Sequence, residues 1–334
     1  MPAVQAPVAS AHARRSGQIE AALFVLTIAL LSLAYAGAHA VGAHPVAFLV
    51  YAMLIASCTL LALTGPGPEA LRIMLAPLSW VVGFGLIGME ALYYLMLWYV
   101  TPAEASVLTR LGIPLSLAMG LMIHGRRPRR CAVWGALIVL MGVAALCLVL
   151  EPANALHGLA LASGCALVMN ARTFATEFHP WNRRAETVQE KMRVTGLVLL
   201  VASCAGTLLV FALMAVSAAG TLGPAPWLPS IGDFLHLPTL LVAVLVGAVV
   251  LTAMQYLSFS SVVKIGTESF IAMTAFTPVA TLIAQQAAAA AGVLRPMPME
   301  WQTLPAIAAV VIGVLIILWA GPAHPPPAIE QPDR

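Results

Sequence analysis

Charge is what this sequence lacks most. Only 9% of its 334 residues are charged, whereas 61% are hydrophobic, and the mean hydropathy is +0.95. A soluble domain carries about 25% charged residues, so lipid must cover most of this protein. The net charge of +3 is too small to indicate a nucleic-acid partner. We therefore expect an integral membrane protein whose main partner is the lipid bilayer.

Signatures of several chemistries are also missing. The eight histidines are dispersed without an H-x-x-x-H pair, and the five cysteines form no C-x-x-C pair. The sequence contains no Walker A or G-x-S-x-G motif, so ATP-driven transport would need a separate subunit. We expect no catalytic residues, no metal site and no cofactor, and we predict that the chain is not an enzyme.

Long apolar segments follow one another along the chain. A helix that crosses a bilayer takes about 20 residues, and no stretch alternates with the period of a strand. The sequence therefore predicts an all-α integral membrane protein with about ten transmembrane helices. The expected spans are 19–40, 45–63, 77–100, 103–123, 131–150, 157–176, 194–217, 239–261, 268–291 and 303–320.

The basic residues indicate the topology. The run before Ala38-His39-Ala40 imitates a cleaved signal peptide, but keeping it as the first span puts nearly every Lys and Arg on one side. Both termini are then cytoplasmic, with residues 1–18 and the Pro-rich, disordered residues 321–334 as tails. The cluster Arg126–Arg130 is mainly a topology signal, and the loop 177–193 is predicted to be a solvated connector.

An internal repeat relates the two halves of the chain. Aligning Pro114 of TPAEASVLTRLGIPLSLA on Pro278 of KIGTESFIAMTAFTPVATLI also aligns Glu104 on Glu268. Five spans in each half would invert the second repeat (151–320) relative to the first (19–150). Interior prolines free backbone carbonyls and permit bending, so Pro114 and Pro278 are predicted hinges.

With these motifs, the chain resembles the EamA-type members of the drug/metabolite transporter superfamily over about 19–320. The resemblance rests on YYLMLWYVTPAEASVLTRLGIPLSLAMGLMIHGRRP leading into WGALIVLMGVAAL, and on TESFIAMTAFTPVATLIAQ leading into AIAAVVIGVLIIL. One departure is Gly125-Arg126-Arg127, where the family usually has Gly-Glu-Arg. The resemblance implies ten helices in two inverted repeats in a bacterial inner membrane, and it leaves a homodimer open.

Charged and aromatic residues inside the spans are the site candidates, because buried charge is expensive in a membrane. Glu90 lies near the middle of the third span, and Tyr94 and Trp98 follow on roughly the same face. This face would bind an ammonium group with cation–π help, or carry a coupled proton, or pair with Arg110 as a structural link. If it does not pair with Glu90, Arg110 would hold a substrate carboxylate or extend outward to water.

Other polar residues in the spans carry weaker signals. Asn170 and Gln255 are further substrate-binding candidates, although polar residues on buried faces often only bond neighbouring helices. Thr101-Pro102-Ala103-Glu104 fits a helix-capping box, so Glu104 is predicted to be a cap. The weakest candidates share a position within a span: Tyr35, His39, Arg172, Tyr256, Gln285 and Gln286.

The functional hypothesis is a secondary transporter that moves a small polar metabolite by alternating access. The resemblance is nearest to aromatic amino-acid exporters, so it implies an amino acid or related compound and outward transport. One alternative is a multidrug, quaternary-amine or nucleotide-sugar carrier of the same fold. Alternatives of other classes are an integral-membrane enzyme acting on lipid-linked substrates and a non-transporting assembly subunit.

Overall fold

The computed structural model describes residues 11–220, 227–292, 301 and 303–320, and this part of the chain contains helices but no strand. The predicted tail 321–334 lies outside the described residues. Ten long helices carry the fold: α1 (Ala11–Ala40), α2 (Pro45–Thr64), α3 (Pro77–Met96), α4 (Pro102–Leu108, Thr109–Leu111 and Gly112–His124), α5 (Arg130–Val149), α6 (Pro152–Phe178), α7 (Val188–Ala218), α8 (Leu237–Leu245, Val246–Leu251 and Thr252–Ile265), α9 (Thr267–Met273, Thr274–Phe276 and Thr277–Ala290) and α10 (Thr303–Ala320).

Nine helices in the described ranges, α1 to α9, are long and apolar enough to cross a membrane. The tenth, α10, is apolar, and its described part has 18 residues, which span roughly 27 Å at 1.5 Å per residue. The hydrocarbon core of a bilayer is about 30 Å thick, so this described part is nearly as long as the core is thick. The prediction of an all-α, multi-pass membrane protein is confirmed.

Proline and capping chemistry explain where several helices begin. Proline occupies the first turn of α2, α3, α4 and α6, where its missing N–H would have no partner within the helix. At the start of α4, the Thr101 N–H donates to Glu104 Oε2 at 2.7 Å, and the Glu104 N–H donates to Thr101 Oγ1 at 3.4 Å. The predicted capping box is therefore confirmed.

Three of the long helices are interrupted. A 3₁₀ turn at Thr109–Leu111 precedes the segment of α4 that holds Pro114, and a 3₁₀ turn at Thr274–Phe276 precedes the segment of α9 that holds Pro278. A π-helical segment, Val246–Leu251, lies inside α8. Such local changes of helix type mark strain or function, and the two in α4 and α9 stand beside the predicted hinges.

Glycines let helices approach closely. Where α5 crosses α10, a Cβ added to Gly135 would lie 2.4 Å from the carbonyl oxygen of Gly313, and one added to Gly313 would lie 2.5 Å from that of Gly135. A Cβ added to Gly83 of α3 would lie 2.4 Å from the Cβ of Ala202 in α7. Small residues bring helices together in membranes because van der Waals packing drives their association.

The bundle has two ends, named here by their loops. The Thr101 end holds the turns between α1 and α2, α3 and α4, and α5 and α6. The Arg126 end holds the turns between α4 and α5, α6 and α7, and α8 and α9.

Some helix boundaries differ from those expected from the sequence. Helix α1 begins at Ala11, inside the expected tail, and α3 ends at Met96 instead of residue 100.

The loop 177–193 is only in part the solvated connector that its mixed charge suggested, because Arg184 and residues 186–190 are exposed whereas other polar residues are buried. Glu177, His179, Asn182 and Lys191 have at most 7% of their surface exposed. His179 Nε2 lies 2.9 Å from Ser79 Oγ, and Lys191 Nζ donates to the carbonyl oxygen of Asn182. Polar groups of this segment therefore hold the Arg126 end together.

Candidate functional site

A cavity of about 490 Å³ lies at the Thr101 end. Trp98, 39% exposed, lies on its outer side, whereas Tyr35 and Tyr94 are 0% and 1% exposed and border its inner end. The cavity therefore leads from the surface to a pair of buried tyrosines. Its lining comes from α1, α3, α4, α5 and α6 and from the turns between them. Its polar or aromatic members are Tyr35, His39, Tyr94, Trp98, Tyr99, Thr101, Glu104, Glu151 and Asn154.

Two tyrosine rings, Tyr35 and Tyr94, form the floor of this cavity, and Phe48 packs against them. The ring centroids of Tyr35 and Tyr94 are 5.0 Å apart, and those of Tyr35 and Phe48 are 5.7 Å apart. The Tyr35 hydroxyl donates to Glu90 Oε2 at 2.6 Å, whereas the Tyr94 hydroxyl has no hydrogen-bond partner among the described residues. The floor thus separates the cavity from a buried carboxylate.

Behind the floor, an acid and a base are buried together. Glu90 of α3 is 3% exposed and Arg172 of α6 is 2% exposed, and the two form no ion pair with each other among the described side chains. Gly85 allows α3 to approach this part of α6, because a Cβ there would lie 2.9 Å from Arg172 Cβ. Ionisable residues within membrane spans are rare and costly, and they mark functional sites by default.

Arg172 is only partly satisfied by the protein. Its Nη2 donates to Ser258 Oγ of α8 at 3.4 Å, while Nε and Nη1 have no hydrogen-bond partner among the described residues. Gln255 lies one helical turn before Ser258, on the same side of α8. It is 1% exposed, and neither its amide nitrogen nor its amide oxygen has a partner there. Each such buried group requires an explanation.

Arg110, by contrast, uses all of its nitrogens. Its Nε donates to the carbonyl oxygen of Ser106 at 2.9 Å, and its Nη2 donates to Thr109 Oγ1 at 3.0 Å. Its Nη1 donates to both oxygens of Thr274 in α9, with Oγ1 at 2.8 Å. Arg110 therefore links α4 to α9, and it forms no ion pair with Glu90 among the described side chains.

The predicted site residues fall into three groups. Tyr94 and Trp98 line the cavity and Glu90 lies behind its floor, whereas Gln255 lies on α8, one turn before the Ser258 that bonds to Arg172. Asn170 Nδ2 donates to the carbonyl oxygens of Gly112 and Ala166 at 3.0 and 2.8 Å, so Asn170 braces the interrupted helix α4 near Arg110. Two residues that the sequence marked as the weakest candidates, Tyr35 and Arg172, lie at the centre of the candidate site.

An ion-pair network joins three helix ends at the Arg126 end. Arg126 Nη2 lies 2.7 Å from Glu177 Oε1, and Arg126 Nη1 lies 2.8 Å from Glu268 Oε2. Glu177 Oε2 also accepts from the Thr267 N–H at 3.0 Å. Burial alone would lower the pKa of Arg126, but the bonds and charges of Glu177 and Glu268 outweigh it and raise that pKa. Arg126, which the sequence presented mainly as a topology signal, is thus a structural ion-pair residue.

No protein-family model matches this chain, and no curated protein matches it. Its fold does match solved structures, 23 chains in all. One of them, described only as "Crystal structure of protein", aligns with a TM-score of 0.61 over 92% of this chain and 99% of that chain. The two sequences are 20% identical, so this likeness shows a shared fold alone.

Proposed function

We propose that this chain is a secondary transporter of the EamA type within the drug/metabolite transporter superfamily, and that it moves a small polar metabolite by alternating access. The observation that carries the proposal is the pair of opposite charges, Glu90 and Arg172, buried within the membrane spans behind the floor of a cavity. A chain built only to span lipid gains nothing from such a pair, since desolvating two charges is expensive.

Internal contacts support the proposed inverted repeat. Aligning Pro114 on Pro278 also places Arg110 on Thr274, and these two residues bond to each other. Residues at equivalent positions of two repeats meet only near the axis that relates the repeats. The 3₁₀ turns of α4 and α9, offset by one residue in this alignment, add to the similarity of the two halves.

The crossing of α5 and α10 supports the same relation. In the alignment of GALIVLMGVAALCLVL on AIAAVVIGVLIILWAG, Gly135 matches Ala306 and Gly142 matches Gly313. Gly135 packs on Gly313, and a Cβ on Gly142 would lie 3.0 Å from the carbonyl oxygen of Ala306. Each contact is the counterpart of the other under the exchange of repeats, as a two-fold axis requires.

The two ends of the bundle suggest one stage of a transport cycle. The cavity lies at the Thr101 end, while Arg126, Glu177 and Glu268 tie helix ends together at the other. The distribution of basic loops makes the Arg126 end cytoplasmic in this proposal. The opposite stage would break these ion pairs and close the cavity, and the family resemblance favours export as the net direction.

Transport by purified protein in liposomes tests the proposal. The substrate panel should hold amino acids, quaternary amines and sugar nucleotides, so that the transported class separates the rival carriers. We expect Glu90→Gln to abolish or strongly reduce transport, because the buried carboxylate is lost. Glu186→Gln is the control, because Glu186 is exposed at the Arg126 end. Transport of no compound, or equal transport by Glu90→Gln, would refute this proposal and favour the non-transporting or lipid-enzyme alternative.

A further inference from the structure

Two buried side chains, on α6 and on α8, offer hydrogen bonds that the protein does not use. Arg172 is 2% exposed, with Nε and Nη1 unpartnered, and Gln255 is 1% exposed, with both amide atoms unpartnered. We propose that Arg172 and Gln255 form an anion-binding subsite that takes the carboxylate of a zwitterionic substrate, while Glu90 takes its ammonium group. This inference rests on the proposed transport function and adds to it the residues that choose the substrate.

The guanidinium of Arg172 has the right chemistry for a carboxylate. A guanidinium presents its N–H groups as a planar fork that binds a carboxylate through two parallel hydrogen bonds. The single protein bond of Arg172, to Ser258 Oγ, is long at 3.4 Å. An anion can therefore engage the fork without breaking a strong bond.

Arg110 is the poorer choice for this role, although it is equally well buried at 4% exposed. Each of its three nitrogens already donates to an oxygen of the protein, from Ser106, Thr109 or Thr274. A substrate carboxylate would have to break these buried hydrogen bonds before it could bind, which costs free energy. The difference between the two arginines places the anion at Arg172.

Gln255 complements both ends of a zwitterion. Its Nε2 can donate to a carboxylate oxygen, and its Oε1 can accept from an ammonium group. It lies in the helical segment of α8 that directly follows the π segment Val246–Leu251. Single-turn π segments are frequent at functional sites, where they redirect the side chains that follow them.

The cavity supplies a route to this subsite. Tyr35 borders the cavity and donates to Glu90 Oε2. An incoming ammonium group can replace the Tyr35 hydroxyl at that oxygen, and the displaced ring would then open the floor. The anionic end of the ligand would pass toward Arg172, which packs closely against the same helix as Glu90, because a Cβ on Gly85 of α3 would lie 2.9 Å from Arg172 Cβ.

The test uses three ligands that differ in one group: an aromatic amino acid, its primary amide and its decarboxylated amine. Binding to the full-length protein in detergent is measured by calorimetry, beside transport in liposomes. We expect the wild type to bind the acid about tenfold to a hundredfold more tightly than the amide or the amine, as charge-assisted bonds allow. In Arg172→Gln, the ratio of the affinity for the acid to that for the amide or the amine should fall toward one.

Two further variants keep the test decisive if Arg172→Gln does not fold. Arg172→Lys keeps the charge but loses the fork, so it should retain part of the preference. Gln255→Leu should weaken binding of the acid, whereas Gln286→Leu, at an exposed glutamine on α9, should not. Equal affinity of the wild type for acid, amide and amine would overturn the subsite, and so would an unchanged preference in these Arg172 and Gln255 variants.

These outcomes separate the subsite from the transport function. Transport that proceeds equally well with the amide and the amine would leave the transporter standing without the anion subsite. Binding that depends on Arg172, without transport of any compound, would leave the subsite standing and remove the transporter.

Discussion

The ion-pair network at the Arg126 end predicts that its two glutamates, Glu177 and Glu268, contribute very different free energies to keeping that end closed. Glu177 is 3% exposed and accepts from Arg126 Nη2 at 2.7 Å, from Arg126 Nη1 at 3.4 Å and from the Thr267 N–H at 3.0 Å. Glu268 has a side chain that is 25% exposed, and it accepts one bond, from Arg126 Nη1 at 2.8 Å. The perturbations are Glu177→Gln and Glu268→Gln, which remove one charge each and keep the size.

The magnitudes follow from burial. Breaking a buried ion pair costs about 3–5 kcal/mol, because the remaining charge is left without its partner. Arg126 keeps Glu268 in the first variant, so we take the lower limit of about 3 kcal/mol for Glu177→Gln. Partly exposed pairs contribute up to about 1 kcal/mol, the value expected for Glu268→Gln. The difference of about 2 kcal/mol corresponds to roughly a thirtyfold difference in population.

The assay measures how often the Arg126 end opens. Ser116 of α4 is 1% exposed and lies one turn before Gly120, whose added Cβ would lie 2.6 Å from Glu268 Oε1. A cysteine at Ser116 therefore reacts with a water-soluble maleimide only when this end opens, and the parent protein with Ser116 supplies the background labelling. We expect Glu177→Gln to raise the labelling rate roughly thirtyfold more than Glu268→Gln does.

Glu186→Gln is the matched control for this assay, because Glu186 is exposed at the same end and its substitution should leave the labelling rate unchanged. Equal effects of Glu177→Gln and Glu268→Gln would show that burial does not set the strength of the network. No effect of either variant would show that these ion pairs do not hold the end closed.

Two further predictions concern stability in detergent, measured by thermal unfolding. Burial lowers the pKa of His179 to about 4, below its unfolded value of about 6.5, so its stabilising contribution is present above pH 6.5 and is lost as pH falls. We expect the free energy of unfolding to fall by about 2 kcal/mol between pH 7 and pH 5. A weaker dependence of stability on pH in His179→Gln would confirm that His179 is responsible. Gly313→Ala should lower the melting temperature, because the new Cβ would meet the carbonyl oxygen of Gly135. Gly37→Ala is the control and should not lower it, because a Cβ at Gly37 would have no atom within 4 Å. Equal melting temperatures of the two variants would refute the close crossing of α5 and α10.

The sequence predicted the helices well and their interruptions poorly. Apolar runs of bilayer length locate a span whatever its neighbours are, so all ten expected segments are helical. The 3₁₀ turns at Thr109–Leu111 and Thr274–Phe276 and the π segment Val246–Leu251 have no such local signal. Their positions depend on neighbouring helices, for example on Asn170, which binds the carbonyl oxygen of Gly112 beside the first 3₁₀ turn.

Prediction of the candidate site failed where the partners are distant in sequence. Glu90 is conspicuous because only apolar and aromatic residues surround it. Arg126 sits in a basic cluster that reads as a topology signal, and its carboxylate partners are 51 and 142 residues away. Arg172 lies near the end of a span, where an arginine usually reaches water, but α6 continues to Phe178 and the side chain is buried.

The contrast between the two buried arginines connects the fold to the proposed cycle. Arg110 bonds to Thr274, its equivalent in the proposed second repeat, so this link lies near the axis about which the repeats would exchange. Contacts on such an axis move least when one repeat rocks against the other, so the link can persist at both stages. In the proposed cycle, the ion pairs that Arg126 forms with Glu177 and Glu268 at the helix ends would have to separate. Arg172, buried in a membrane span, keeps unused donors, and a substrate of the proposed transporter that bound them could be reached from either end in turn.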